Sequence, residues 1–149
     1  MYNDTITLFN RHRTQSGTMW YATVLHGVNV IVDKSAIIAK YGEKSQDSAV
    51  LNIRYRREDT DIYVGKKRYL PPKEWSRQMD DALSASITFA SGQQFDFFMI
   101  GEWDGGAVVD DDTYTEGFYE HANRRYDFVF AITSVSQFSV IPHFEITAK

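Results

Sequence analysis

The hydrophobic and polar positions alternate from the start of the chain. Thr5 to Phe9 places Ile6 and Leu8 on one face, the period of a half-buried strand. The polar run Arg11 to Thr18 ends in Ser16-Gly17, a turn, so Met19 to Leu25 is expected to return as the second strand of a hairpin. Beyond it, Trp20 to Val30 stays extended through His26-Gly27. A glycine inside a strand pattern marks a bulge or a bend, so one long strand is expected to turn a corner at Gly27. Asp33 to Tyr41 fits either a short helix, capped by Asp33 and ended by Gly42, or an irregular extended segment. Ser48 to Tyr55 alternates again as a strand. Ile62 to Val64 and Lys67 to Leu70 flank Gly65-Lys66 as a hairpin.

Pro71-Pro72 stops that strand and permits a helix to begin, because proline is tolerated in a first turn. Trp75, Met79 and Leu83 then share one helical face, which predicts a helix over Pro72 to Ser84. Ile87 to Phe89 and Phe95 to Gly101 read as strands on either side of Ser91-Gly92, and Asp104-Gly105-Gly106 as a turn. Tyr114 to Asn123 reads as a shorter helix with Phe118 and Ala122 on one side. Phe128 to Val135 is a strand with faces Phe128/Phe130/Ile132 and Val129/Ala131/Thr133, and Pro142 to Thr147 is the last strand. Many short strands with few helices predict a mainly β fold: a small β-barrel or sandwich with one or two short helices. With no repeat, low-complexity tract or Pro/Ser-rich linker, residues 1–149 are read as a single domain.

Composition narrows the classes. Hydrophobic residues are 43 % and charged residues 24 %, the balance of a folded chain rather than a disordered one. There is no cysteine, which excludes disulfides, a thiol nucleophile and thiolate zinc ligands. Met1 to Asp4 has no basic region leading into an apolar run, so no signal peptide is expected, and no stretch has the length of a membrane helix. A net charge of −4 argues against tight binding to nucleic acid, whose affinity comes from neutralising phosphates. The basic groups Arg11-His12-Arg13, Arg54-Tyr55-Arg56-Arg57, Lys66-Lys67-Arg68 and Arg124-Arg125 read as solvated turns and strand ends. The 22 aromatic rings (3 Trp, 9 Tyr and 10 Phe) exceed what one small barrel easily buries, so part of them is expected at subunit contacts.

Candidate chemistry is sparse. No Gly-x-Ser-x-Gly, P-loop or dinucleotide fingerprint is present, and no catalytic residue or cofactor is assigned. The histidines His12, His26, His121 and His143 show no ligand spacing, and His26 reads as a structural residue at a bend. Asp110, Asp111 and Asp112 are the weak metal candidates. They equally suit an exposed loop before a helix, where negative charge is favourable without metal. The residues singled out for contact with neighbours are Trp20, Tyr21, Lys66, Lys67 and Arg68.

Several segments in succession carry a resemblance. They are Asn3 to Asn10, Trp20 to Val28, Ala39-Lys40-Tyr41-Gly42, Ser45 to Ala49, Tyr69 to Trp75, Ile87-Thr88-Phe89, Ile132 to Val135 and Pro142 to Ile146. In this order the chain resembles a poorly characterised family of small virion proteins from tailed phages and prophages of Gram-positive bacteria. Their genes tend to lie among those for minor capsid, head-closure and head–tail joining proteins. Two positions depart from it. Gly92 is followed by Gln93-Gln94-Phe95-Asp96 where Gly-Asp is common, and Phe144 stands where a tryptophan is common. The resemblance implies a non-enzymatic structural part of the particle that forms a ring-type homo-oligomer and contacts portal, connector or tail proteins. It would be found in the virion and, during assembly, in the host cytoplasm. Two other readings compete. One is a barrel that binds nucleic acid or carbohydrate through Trp20, Tyr21, Arg54 and Arg56. The other is a metal-dependent enzyme built on the aspartate cluster.

Overall fold

In a computed structural model, which describes residues 2–33 and 49–149, alternation carries through into paired strands. Strand β1 (Asp4–Thr14) turns at Gln15-Ser16 into β2 (Gly17–Val32), and the two pair antiparallel from Thr14↔Gly17 to Asp4↔Val28. The register slips between Asp4 and Thr5, opposite Gly27, whose φ of +68° is left-handed backbone that a glycine adopts without a Cβ clash. Past this bulge β2 takes a new partner. Asn29 to Val32 pair with β3 (Ala49–Arg54), and the Asp4 carboxylate accepts the Val30 N–H at 2.9 Å.

β3 pairs with β11 (His143–Ala148), β11 with β10 (Val129–Phe138), β10 with β8 (Phe97–Ile100), and β8 with β1. The circuit β1-β8-β10-β11-β3-β2 closes into a six-stranded barrel, so the barrel alternative holds over the sandwich. A short β9 (Val108–Asp110) adds to the first part of β2. A separate sheet orders β4 (Arg56–Glu58), β5 (Asp61–Val64), β6 (Lys67–Tyr69) and β7 (Ser86–Ile87), of which the β5–β6 hairpin is the one expected around Gly65-Lys66.

Side chains sort by the strand period. Ile6, Leu8, Leu51, Ile53, Phe98, Phe130, Ile132, Phe144 and Ile146 fill the barrel. The opposite faces of β1, β2, β8 and β10 send Phe9, Trp20, Phe97, Met99 and Val129 outward. There α3 (Phe118–Arg125) covers them with Phe118 and Ala122. Thus both faces of these strands are apolar, which absorbs much of the aromatic content within the one chain.

Three expectations change. The single helix over Pro72 to Ser84 is two short turns, α1 (Pro72–Ser76) and α2 (Asp81–Ser84). Asp80 sits at φ +52°, which interrupts the helical hydrogen bonds, and Met79 is 74 % exposed while Trp75 and Leu83 still meet in a small cluster. The second helix starts later than Tyr114, at Phe118 after Gly117. In β10, Phe130 and Ile132 point inward as their alternation predicts, but Phe128 precedes the strand and is exposed. The choice for Asp33 to Tyr41 falls, after Asp33, outside the described residues. Among the described residues no helix is long and apolar enough to cross a membrane.

Phe144 is the hub of the barrel interior, with ring centroids 5.0 Å from Tyr55, 4.7 Å from Tyr69 and 5.0 Å from Phe89. Phe144→Ala is expected to lose about 3–5 kcal/mol of unfolding free energy through lost transfer energy and an unfilled cavity, read from urea denaturation.

Candidate functional site

The aspartate cluster is occupied with structural tasks. The Asp111 carboxylate accepts the Trp20 indole N–H at 2.8 Å and the Phe118 backbone N–H at 2.8 Å. It therefore ties β2 to the first turn of α3, where an anion offsets the unpaired N–H groups and the helix dipole. Asp110 accepts the Asp112 N–H at 3.0 Å across a short 3-10 turn, Asp111–Thr113. Among the described residues no group of three or more His, Cys, Asp or Glu is arranged to hold a metal ion.

The residues chosen as contacts separate. Trp20 is only 1 % exposed, locked against Phe97 at 4.9 Å, so its ring has no surface to offer a neighbour or a base. Packing on both faces of β2 overrides the expectation from composition. Tyr21, half-buried, meets Trp75 and His12 edge-on at 5.9 and 6.3 Å. Arg68 pairs with Asp61 at 3.0 Å, Lys66 is exposed, and Lys67 is half-buried, donating to Thr23 Oγ1 at 2.8 Å. His26 lies at the bulge, exposed, with Nδ1 3.0 Å from Thr5 Oγ1 and Nε2 3.5 Å from Glu102 Oε1.

Two features escape a reading of the sequence. The first is a buried polar nest. Asp96 is fully enclosed and accepts three N–H groups: Arg11 N at 2.8 Å, Ala90 N at 2.9 Å and Asn10 Nδ2 at 2.9 Å. Asn10 Nδ2 also donates to the Thr88 carbonyl at 2.6 Å, so the nest staples β1 to the Thr88–Asp96 connection. Burial pushes the Asp96 carboxyl up to about 7, while the three donors and the Arg11 guanidinium pull the other way. The Arg11 guanidinium itself lies 4.5 Å from the Trp20 ring centroid and 4.7 Å from that of Phe95, and burial lowers its pKa.

The second feature is the β10–β11 hairpin tip. Val140 is 96 % and Ile141 73 % exposed, and Phe138 beside them is also exposed. The backbone beneath them is firmly held. Tyr55 Oη donates to the Phe138 carbonyl at 2.7 Å, Tyr55 N donates to the Pro142 carbonyl at 3.3 Å, and His143 stacks on Phe138 at 4.8 Å. A tethered turn that presents aliphatic side chains to water is pre-organised for contact, because little further ordering is needed on binding. The signal was present in the sequence as Val140-Ile141-Pro142, apolar residues where a turn is ordinarily polar.

Asp111→Ala is expected to lower stability by about 1–3 kcal/mol in thermal or urea unfolding, because it strands the Trp20 and Phe118 N–H groups. Asp111→Asn keeps an acceptor oxygen and is expected to lose less. For Asp96 the folded pKa lies above the unfolded value of roughly 4, so the folded state holds the proton more tightly. Its contribution is full below the unfolded value and is lost as pH rises through about 7. The stability of the wild type relative to Asp96→Asn is therefore expected to fall between pH 4 and 8, on the order of 1 kcal/mol per pH unit at the steepest, in paired urea titrations.

No curated protein and no solved structure matches this chain. A family model does, over residues 1–149, and its description is a family of unknown function, DUF6751. Since that match runs the length of the sequence, the chain belongs to the DUF6751 family.

Proposed function

We propose that this chain is a non-enzymatic structural subunit of a tailed phage or prophage particle, of the head–tail joining, head-closure or minor capsid type. The observation that carries this reading is the rigid apolar tip of the β10–β11 hairpin. Val140 and Ile141 project from an anchored turn, and burying each against a neighbour is worth about 1.5–3 kcal/mol. A closed barrel leaves few free edges, so assembly through projecting loops and hairpins suits it. The succession of segments in which the sequence resembles phage virion proteins supports the particle context. A net charge of −4 suits a part past which DNA slides, since attraction to phosphates would slow the passage.

Other readings draw less support. Stacking of bases or sugars on Trp20 requires a ring face that the core occupies. Metal-dependent catalysis at Asp110 to Asp112 competes with the hydrogen bonds that the Asp110 and Asp111 carboxylates already make.

The test is mass measurement, by sedimentation and native mass spectrometry, of the protein alone and mixed with portal and neck proteins from the same genome. A defined complex or a closed oligomer is expected. The double variant Val140→Ser/Ile141→Ser is expected to weaken it at least about tenfold with the melting temperature preserved. A protein that stays monomeric at high concentration and binds none of these partners overturns the reading.

A further inference from the structure

Between its two pairings, β2 has one side unoccupied. Its register with β9 ends at Tyr21 and its register with β3 begins at Asn29, so among the described residues Ala22 to Val28 face no strand opposite β1. The Ala22 N–H points away from β1, since it donates to the Ala107 carbonyl at 2.9 Å. By the two-residue period, the backbone groups of Val24 and His26 point the same way.

The space they face is a cleft of about 500 Å³ between β2, the end of β3 and the β5–β6 turn. Its floor is apolar, made by the buried side chains of Leu25, Val28, Ile53 and Val64. Among the described residues its charged lining is of one sign, Arg54, Lys66 and Lys67, with His26 also lining it and no carboxylate. Lys67 is half-buried against this floor with the Thr23 hydroxyl as its partner, and burial lowers its pKa. A half-desolvated ammonium with no counter-ion among the described residues is a place where an incoming carboxylate gains more than it would on an open surface. Glu102 lies outside the cleft, 3.5 Å from the far nitrogen of His26.

We propose that this cleft binds an extended acidic segment of a partner protein, which adds as a strand to the free edge of β2 at Thr23–Val28. Backbone groups of the segment pair with Val24 and His26, and the side chains on one of its faces enter the cleft, apolar ones on the floor and a carboxylate at Lys67. A nucleic acid answers the same geometry less well, because it offers no peptide backbone to pair with the edge. This proposal is independent of the phage reading, which concerns the hairpin tip.

A capped seven-residue peptide with threonine at its odd positions and valine, glutamate and valine at its even ones, so that the valines and the carboxylate share a face, is the probe, titrated into isotopically labelled full-length protein. Expected are amide shifts and slowed hydrogen exchange confined to residues 23–28 and the β5–β6 turn. Affinity is expected to fall at least tenfold in Lys66→Glu and in Lys67→Gln, and also in high salt. Lys66 is exposed and Lys67→Gln retains a donor for Thr23, so both variants are expected to melt as the wild type does. The Val140→Ser/Ile141→Ser variant is expected to bind the peptide normally, which separates this site from the tip. Three results overturn the proposal. One is no perturbation at millimolar peptide. Another is equal binding of a peptide with lysine in place of glutamate, or of an oligonucleotide. The third is a concentration-dependent perturbation of the same residues without peptide, abolished by Lys66→Glu, which assigns the edge to a second copy.

Discussion

At Gly27 the longest strand of the protein changes partners, and the barrel depends on that change. The pairing of β2 with β1 ends at Val28 and its pairing with β3 begins at Asn29, on the edge opposite β1, so the two ends of the circuit meet at this point of the strand. The left-handed backbone at Gly27 absorbs one residue, increases the local twist and turns the strand across to β3. Asp4 then supplies from its side chain the acceptor that β1 no longer provides to Val30.

Around that closure, polar and apolar groups divide the labour by how replaceable they are. The barrel interior is aliphatic and aromatic, where burial is non-directional and many residues share the load. The directional contacts hold the connections. Asp96 fixes β1 to the connection before β8, and Asp111 fixes the α3 turn over Trp20. An aspartate suits both places because a carboxylate accepts several N–H groups at once and leaves few donors unpaired in a dry environment. A run of three aspartates that resembles a cation site in the sequence thus serves a turn and a helix start.

With the apolar strand faces largely covered, the surface features that remain are few and distinct. Val140 and Ile141 stand on a turn whose carbonyls at Phe138 and Pro142 are both taken by Tyr55. Their exposure is therefore a fixed property of the subunit rather than a fraying end. The cleft beside β2 differs in kind: among the described residues it combines open backbone with charge of one sign, where the tip offers apolar surface.

Much of the strand content was legible because alternation reports burial directly: Ile6 and Leu8, or Phe130 and Ile132, could face only a core. Gly27 was legible too, since a glycine amid branched and aromatic residues has few roles other than a bend. The helix over Pro72 to Ser84 was misread because Trp75, Met79 and Leu83 fit one face, while the break at Asp80 is a backbone conformation that no periodicity encodes. Trp20, Asp96 and Lys67 belong to the same class. Whether a tryptophan is surface or core, whether an aspartate is enclosed, and whether a lysine has a partner depend on residues some 44 to 91 positions away along the chain. The sequence by itself determined a mainly β chain, its turns and its apolar faces, because those follow from neighbours within a few residues. The closed barrel, the occupied aspartates, the open edge of β2 and the rigid tip were decided only by tertiary structure, because each is set by which distant strands meet.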